Sequence, residues 1–163
     1  MTRYLGIATP LGSLFATSSG DGLTGIYFEG GRHAPAISPQ WIEDRLCAPL
    51  VECRRQLGEY FAGARRDFDL PLAPEGTAFQ RRVWAEIARI PYGTTITYAE
   101  LARRAGAPGS ARAAGAATGR NPLSIVVPCH RVLGSSGSLT GYAGGLGRKT
   151  SLLGIEGALV EAA

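Results

Sequence analysis

Thr77-Ala78-Phe79-Gln80-Arg81-Arg82-Val83-Trp84-Ala85-Glu86-Ile87 is the stretch on which the fold turns. Thr77 and Gln80 have the spacing of a capping box, in which a hydroxyl accepts one orphan N–H and an amide reaches back for another. Phe79, Val83, Trp84 and Ile87 follow at helical spacing and mark a buried stripe. Pro91-Tyr92-Gly93 stops this helix. Thr97 and Glu100 repeat the capping-box spacing and open a short helix that ends at Gly106, and Ser110 caps a third over residues 111–118. Three short helices with tight turns, the third small and Arg-bearing, have the rhythm of a helix-turn-helix.

Upstream, Pro71, Pro74 and Gly76 read as a linker. A domain boundary is expected there, dividing residues 1–75 from residues 76–163. The first part opens with short apolar runs, residues 4–9, 14–17 and 23–28, separated by Pro10-Leu11-Gly12 and Gly20-Asp21-Gly22. Such runs, punctuated by turn residues, predict an antiparallel meander. Residues 30–39 read as loop. Trp41, Leu46, Leu50, Leu57, Tyr60 and Phe61 predict an amphipathic helix over residues 40–62, bent near Pro49 and closed by Gly63. Residues 66–70 alternate charged and apolar side chains, as an edge strand does.

Downstream lies Ile125-Val126-Val127-Pro128-Cys129-His130-Arg131-Val132. An apolar strand would deliver a cysteine with a histidine and an arginine beside it. The thiolate is the nucleophile, and a neighbouring base or positive field activates it. Adjacent side chains on a straight strand face opposite ways. So either the chain bends at Pro128, or His130 reaches the thiol through a water; the water is the expected route. Residues 133–139, with Gly134 and Gly137, suit a hairpin wing, and residues 146–155 a final helix. Cys47 and Cys53 read as structural thiols. The glycine-rich run from Gly141 to Thr150 fails the phosphate-loop register, because Arg148 stands between Gly147 and Lys149.

Composition narrows the function classes. The chain has 163 residues, 45% hydrophobic and 18% charged, the mix of a packed globule. No apolar run is long enough to span a bilayer, and the first residues lack the apolar core of a secretory leader. Three cysteines are too few for a disulfide framework, and with His33 remote their spacing fits no zinc site, so a cytoplasmic setting without metal is expected. Residues 1–75 hold 7 Arg against 9 Asp and Glu, net −2, while residues 76–163 hold 9 Arg and Lys149 against 4 Glu, net +6. A basic second half suits a polyanion.

Pro128-Cys129-His130-Arg131-Val132 resembles the signature of the O6-alkylguanine-DNA alkyltransferases. The likeness continues in order through Phe79-Gln80, Val83-Trp84, Ile90-Pro91, Gly93, Thr97-Tyr98, Ala111-Arg112-Ala113, Asn121-Pro122, Gly141-Tyr142, Gly144-Gly145, Lys149, Leu152-Leu153 and Glu156, and more loosely to Thr9-Pro10-Leu11-Gly12. It implies an α/β N-terminal ribonuclease-H-like domain and a mainly α C-terminal winged-helix domain.

The resemblance also implies a reaction: one irreversible transfer of the alkyl group from O6-alkylguanine to Cys129, with O4-alkylthymine as a candidate second substrate and no cofactor. Its partner would be double-stranded DNA approached by a monomer from the minor groove, with no membrane role. Glu156 would hold the tautomer of His130, which takes the thiol proton. Tyr98 would serve N3 of the guanine, with Lys149 beside it, and Asn121 would brace the turn under the cysteine. The carbonyls of Cys129 and Val132 would receive the exocyclic amine, with Tyr142, Ala143 and Ser124 completing the pocket.

Arg112 would fill the gap left by the flipped base, on a helix whose Ala111, Ala113, Gly115 and Thr118 meet DNA. Small side chains there allow close approach. Ser110, Ala114 and Thr118 depart from residues frequent in the family and bear on DNA affinity and adduct range; Ser124, at a wall position where some relatives carry Pro, suggests a roomy pocket that takes adducts larger than methyl. The alternative is a non-catalytic sensor of alkylated DNA that recruits other repair factors; retention of Cys129 weighs against it. A regulator would need a further module, and a thiol protease would need a context these residues lack.

Overall fold

The computed structural model describes residues 1–139 and 141–158. The last five residues of the expected second domain lie outside them. The chain divides into two compact units, Met1–Glu75 with Pro122–Ser124, and Gly76–Asn121 with Ile125–Ala163.

The first unit is a mixed sheet covered by one helix. β1 (Arg3–Thr9), β2 (Gly12–Ser18) and β3 (Leu23–Phe28) form the meander, and β4 (Ile42–Glu43) adds to the free edge of β1 in parallel, in the order β3-β2-β1-β4. Leu5 pairs with Ala16 and Ile7 with Leu14, so these apolar side chains share one buried face. α1 (Ala48–Phe61) packs against β1 and β2 and buries Leu50, Cys53, Leu57 and Tyr60 completely. Leu123 bridges the outer edge of β3, where the Ile26 N–H donates to Pro122 O at 2.7 Å and the Ser124 N–H to Ile26 O at 3.1 Å.

Two expectations fail here. Residues 40–47 are not helical: they hold β4 and a turn in which Asp44 Oδ1 accepts the N–H groups of Leu46 and Cys47. Pro49 sits in the first turn of α1, where its missing N–H costs nothing, so it starts the helix and bends nothing. Residues 66–70 form no strand. Their backbone is held by the Gln56 amide, which donates to Asp69 O and accepts from its N–H, both at 2.9 Å.

The second unit is built from α2 (Ala78–Ala88), α3 (Tyr98–Arg104), α4 (Ala111–Gly119) and α5 (Leu146–Ile155), with a two-stranded parallel pair of β5 (Ile96–Thr97) and β6 (Val132–Leu133). The Thr77–Gln80 capping box is complete. Thr97 accepts from the Glu100 N–H, but the Glu100 carboxylate turns to Arg103 and Arg104 and makes no return bond. Ser110 occupies the N-cap of α4 without a side-chain bond. α2, α3 and α4 pack on one another around Val83, Trp84, Ile87 and Leu101, and the Trp84 indole N–H clasps Ala117 O at 2.8 Å.

Residues 125–127 are a turn where a strand was expected. Ile125 stands at φ 71°, unusual for a β-branched residue. The Val127 carbonyl accepts from the Cys129 N–H at 2.8 Å and the Asn121 amide at 2.9 Å, so this backbone finds its partners within the turn and not in a ladder. The expected wing is a tight turn, closed by the Gly134 N–H to Ser138 O at 2.9 Å.

Candidate active site

Pro128 ends the turn, and Cys129–Arg131 form a single 3-10 turn ahead of β6. The chain therefore bends at Pro128. Cys129 is 5% exposed, His130 0% and Arg131 5%, so consecutive side chains all enter the interior. Burial pushes the Cys129 thiol above its ordinary pKa, against the Asn121 amide and the Lys149 charge, which favour the thiolate. At rest the sulfur is a thiol and needs a base.

His130 is placed to be that base. Its Nε2 lies 2.8 Å from Glu156 Oε2, and Glu156 sits at the C-cap of α5. An Nε2–H donated to the carboxylate leaves the Nδ1 lone pair free to receive a proton. Nδ1 is buried and makes no hydrogen bond among the described residues. Burial lowers the imidazole pKa; the Glu156 hydrogen bond and charge oppose this, and Arg131 and Lys149 reinforce it. His130 is therefore neutral near pH 7.

Arg131 does more than add charge to the motif. Its Nε and Nη2 reach Glu156 Oε1 and Oε2 at 2.8 and 3.0 Å, and Nη1 donates to Ile90 O at 2.6 Å. The Tyr92 ring lies 5.6 Å from the guanidinium carbon. Gly93, at φ 80°, closes this side, since a Cβ there would stand 3.2 Å from Glu156 O. The resemblance named Glu156 as the partner of His130 and not this fork, which forms only where the end of α5 packs against the Cys129–Arg131 turn.

On the other side, Lys149 is fully buried and donates to Val132 O at 2.7 Å, with its ammonium 5.9 Å from the centre of the Tyr98 ring. Desolvation pulls its pKa down to about 8. Tyr98, the first residue of α3, points its hydroxyl toward Gly141 O at 3.5 Å. A Cβ at Gly115 of α4 would lie 3.7 Å from the Tyr98 ring. Tyr142 is 8% exposed and sets its ring edge-on to His130 at 6.4 Å, with half-buried Ala143 next to it.

So Cys129, His130, Glu156, Lys149, Val132, Asn121, Tyr98 and Tyr142 gather in the second unit. Ser124 is buried, and its N–H donates to Ile26 O of β3 at 3.1 Å. On α4, Arg112 and Ala113 are exposed, while Ala111 and Gly115 are half-buried. Thr118 departs from the DNA-facing role expected of it: it is 5% exposed and its hydroxyl donates to Ala114 O at 2.7 Å. Among the described residues no group of three or more His, Cys, Asp or Glu could hold a metal ion, and no helix is long and apolar enough to cross a membrane.

Comparison with known proteins supplies the context. Residues 2–74 match the ribonuclease-like domain of 6-O-methylguanine DNA methyltransferase, and residues 78–158 match its DNA binding domain. The chain is 47% identical to a methylated-DNA–protein-cysteine methyltransferase of Mycolicibacterium paratuberculosis, over 96% of this chain and 93% of that one. It is 44% identical to that of Methanosarcina acetivorans, over 94% and 97%. Among solved structures, Mycobacterium tuberculosis OGT in complex with DNA superposes with a TM-score of 0.87 at 43% identity, covering 96% of this chain and 93% of the other. The chain belongs to the 6-O-methylguanine DNA methyltransferase family.

Proposed function

We propose that the protein repairs O6-alkylguanine in double-stranded DNA by moving the alkyl group irreversibly to Cys129. The buried Cys129–His130–Glu156 assembly carries this reading: a protonated thiol stands next to a neutral imidazole whose far nitrogen is held by a carboxylate. His130 Nδ1 takes the thiol proton, through one water in our reading. Sulfur then attacks the alkyl carbon, so that an S–C bond forms as the O6–C bond breaks. The electrons left on the purine are neutralised by a proton from the Tyr98 hydroxyl to N3. The products are a thioether, an imidazolium, a phenolate and guanine protonated at N3, which becomes ordinary guanine when water exchanges that proton for one at N1; the Lys149 ammonium stabilises the phenolate. No group in the site cleaves a thioether, so each molecule acts once.

For the reaction to occur the base must leave the duplex, which costs a few kcal/mol. Arg112 fills the vacated stack from the minor-groove side, and the exposed small residues of α4 let the backbone come close. The unpaired cysteines suit a reducing, cytoplasmic compartment.

The test is intact-mass analysis after mixing with an oligonucleotide duplex bearing O6-methylguanine. One added methyl on the Cys129 peptide, and none on Cys129→Ala, is expected. A methyl on Cys47 or Cys53 instead, or binding with no transfer, would sink the proposal.

A further inference from the structure

We propose that Arg131 is a positioning residue for the proton relay: its guanidinium fork fixes both oxygens of Glu156 and keeps the His130–Glu156 pair from holding an extra proton. This rests on the reading of Cys129 as the alkyl acceptor and His130 as its base. The geometry is that of a shared carboxylate. Glu156 Oε2 receives both His130 Nε2 at 2.8 Å and Arg131 Nη2 at 3.0 Å, while Oε1 receives Arg131 Nε at 2.8 Å. A bidentate guanidinium is planar and always charged, so it sets the plane of the carboxylate and hence the direction from which His130 is held. The fork is itself anchored, by Ile90 O at 2.6 Å at the end of α2 and by the face of Tyr92.

The charge matters as much as the plane. A lone buried carboxylate against an imidazole would favour the imidazolium, which has no lone pair for the thiol proton. The groups facing His130 are Glu156 from the end of α5, Arg131 and Cys129 from its own turn, Lys149 from within α5, and the edge of Tyr142. Of these only Glu156 favours the charged ring. Arg131 touches that same carboxylate and offsets it directly, whereas Lys149 acts on the ring through its charge alone.

Arg131→Met removes charge and fork while keeping the apolar stem; Arg131→Lys keeps the charge and loses the fork. Histidine side-chain NMR reads the outcome directly, because the chain has only His33 and His130. In Arg131→Met, protonation of the His130–Glu156 pair is expected to move up by about one pH unit, which costs up to about threefold in methyl transfer at neutral pH and is regained as pH rises, on top of the pH-independent loss that the missing fork causes. In Arg131→Lys, the titration stays near that of the wild type while transfer is slower at every pH. His33 should titrate identically in all three proteins. Unmoved His130 titration in a folded Arg131→Met, with transfer either unchanged or reduced equally at all pH values, would overturn the proposal. If Arg131→Met fails to fold, Arg131→Lys decides alone: wild-type transfer without the fork overturns it. Failure of the wild type to methylate Cys129 would refute the repair reaction and leave the titration arm standing.

Discussion

Lys149 puts a primary ammonium where none of its surface is accessible, and it loses proton affinity as a result: the pKa falls from 10.5 to about 8 through desolvation. In the unfolded chain the proton is held up to the ordinary value. Between about pH 8 and 10.5 the unfolded chain therefore binds more protons than the folded one, and this group makes the fold more stable as pH rises. The full gain across that window is about 3 to 4 kcal/mol, at about 1.4 kcal/mol per pH unit. Below pH 8 the cost is fully present. It is tolerated because the ammonium donates to Val132 O and places positive charge beside Tyr98 and Cys129. Urea denaturation across this window should show the wild type gaining stability relative to Lys149→Met. Parallel pH curves for the two proteins would mean that the ammonium is not desolvated as described.

The helices of the second unit differ in how their ends are held, and the difference is measurable. α2 has both bonds of its capping box, the Thr77 N–H to Gln80 Oε1 at 3.0 Å and the Gln80 N–H to Thr77 Oγ1 at 3.1 Å. α4 begins at Ser110, whose hydroxyl caps nothing. Thr77→Ala should cost about 1 kcal/mol in urea titrations, and Ser110→Ala less than about 0.5 kcal/mol. Equal losses would show that hydrogen bonding at the caps does not decide these helix starts. Elements with such local signals were readable from sequence: α2 by its capping box and buried stripe, α3 by the Thr97–Glu100 spacing, β1 to β3 by glycine and proline punctuation. Two others were not. Residues 40–47 supply apolar side chains at helical spacing, but the edge of β1 takes up Ile42–Glu43 and Asp44 caps the turn that follows. Residues 125–127 are as β-prone as any in the chain, yet Asn121 and the Cys129 N–H both bind Val127 O and fold them into a turn.

Across the whole molecule charge is segregated, net −2 over residues 1–75 and +6 over residues 76–163. Sequence could show that segregation, and the resemblance could name Cys129, His130 and Glu156. It could not show the Arg131–Glu156 fork or the burial of Thr118, which exist only once α5 and α4 are packed. What packing leaves in the open is informative in turn: α4 exposes Arg112, Ala113, Ala116 and, at its C-cap, Arg120, and buries Ala114, Ala117 and Thr118. A cation among such small neighbours can enter a narrow groove and stand in for an extruded base. It contributes only while there is a stack to refill. Arg112→Ala should therefore slow repair of an O6-methylguanine duplex by about tenfold or more, the share of a base-flipping cost of a few kcal/mol that one side chain can offset. Reaction with O6-benzylguanine as the free base, which needs no flipping, should stay near the wild-type rate. Both rates can be read from the alkylated fraction of Cys129 by mass spectrometry. Equal losses on the two substrates would place Arg112 in the support of the active site and remove it from the duplex.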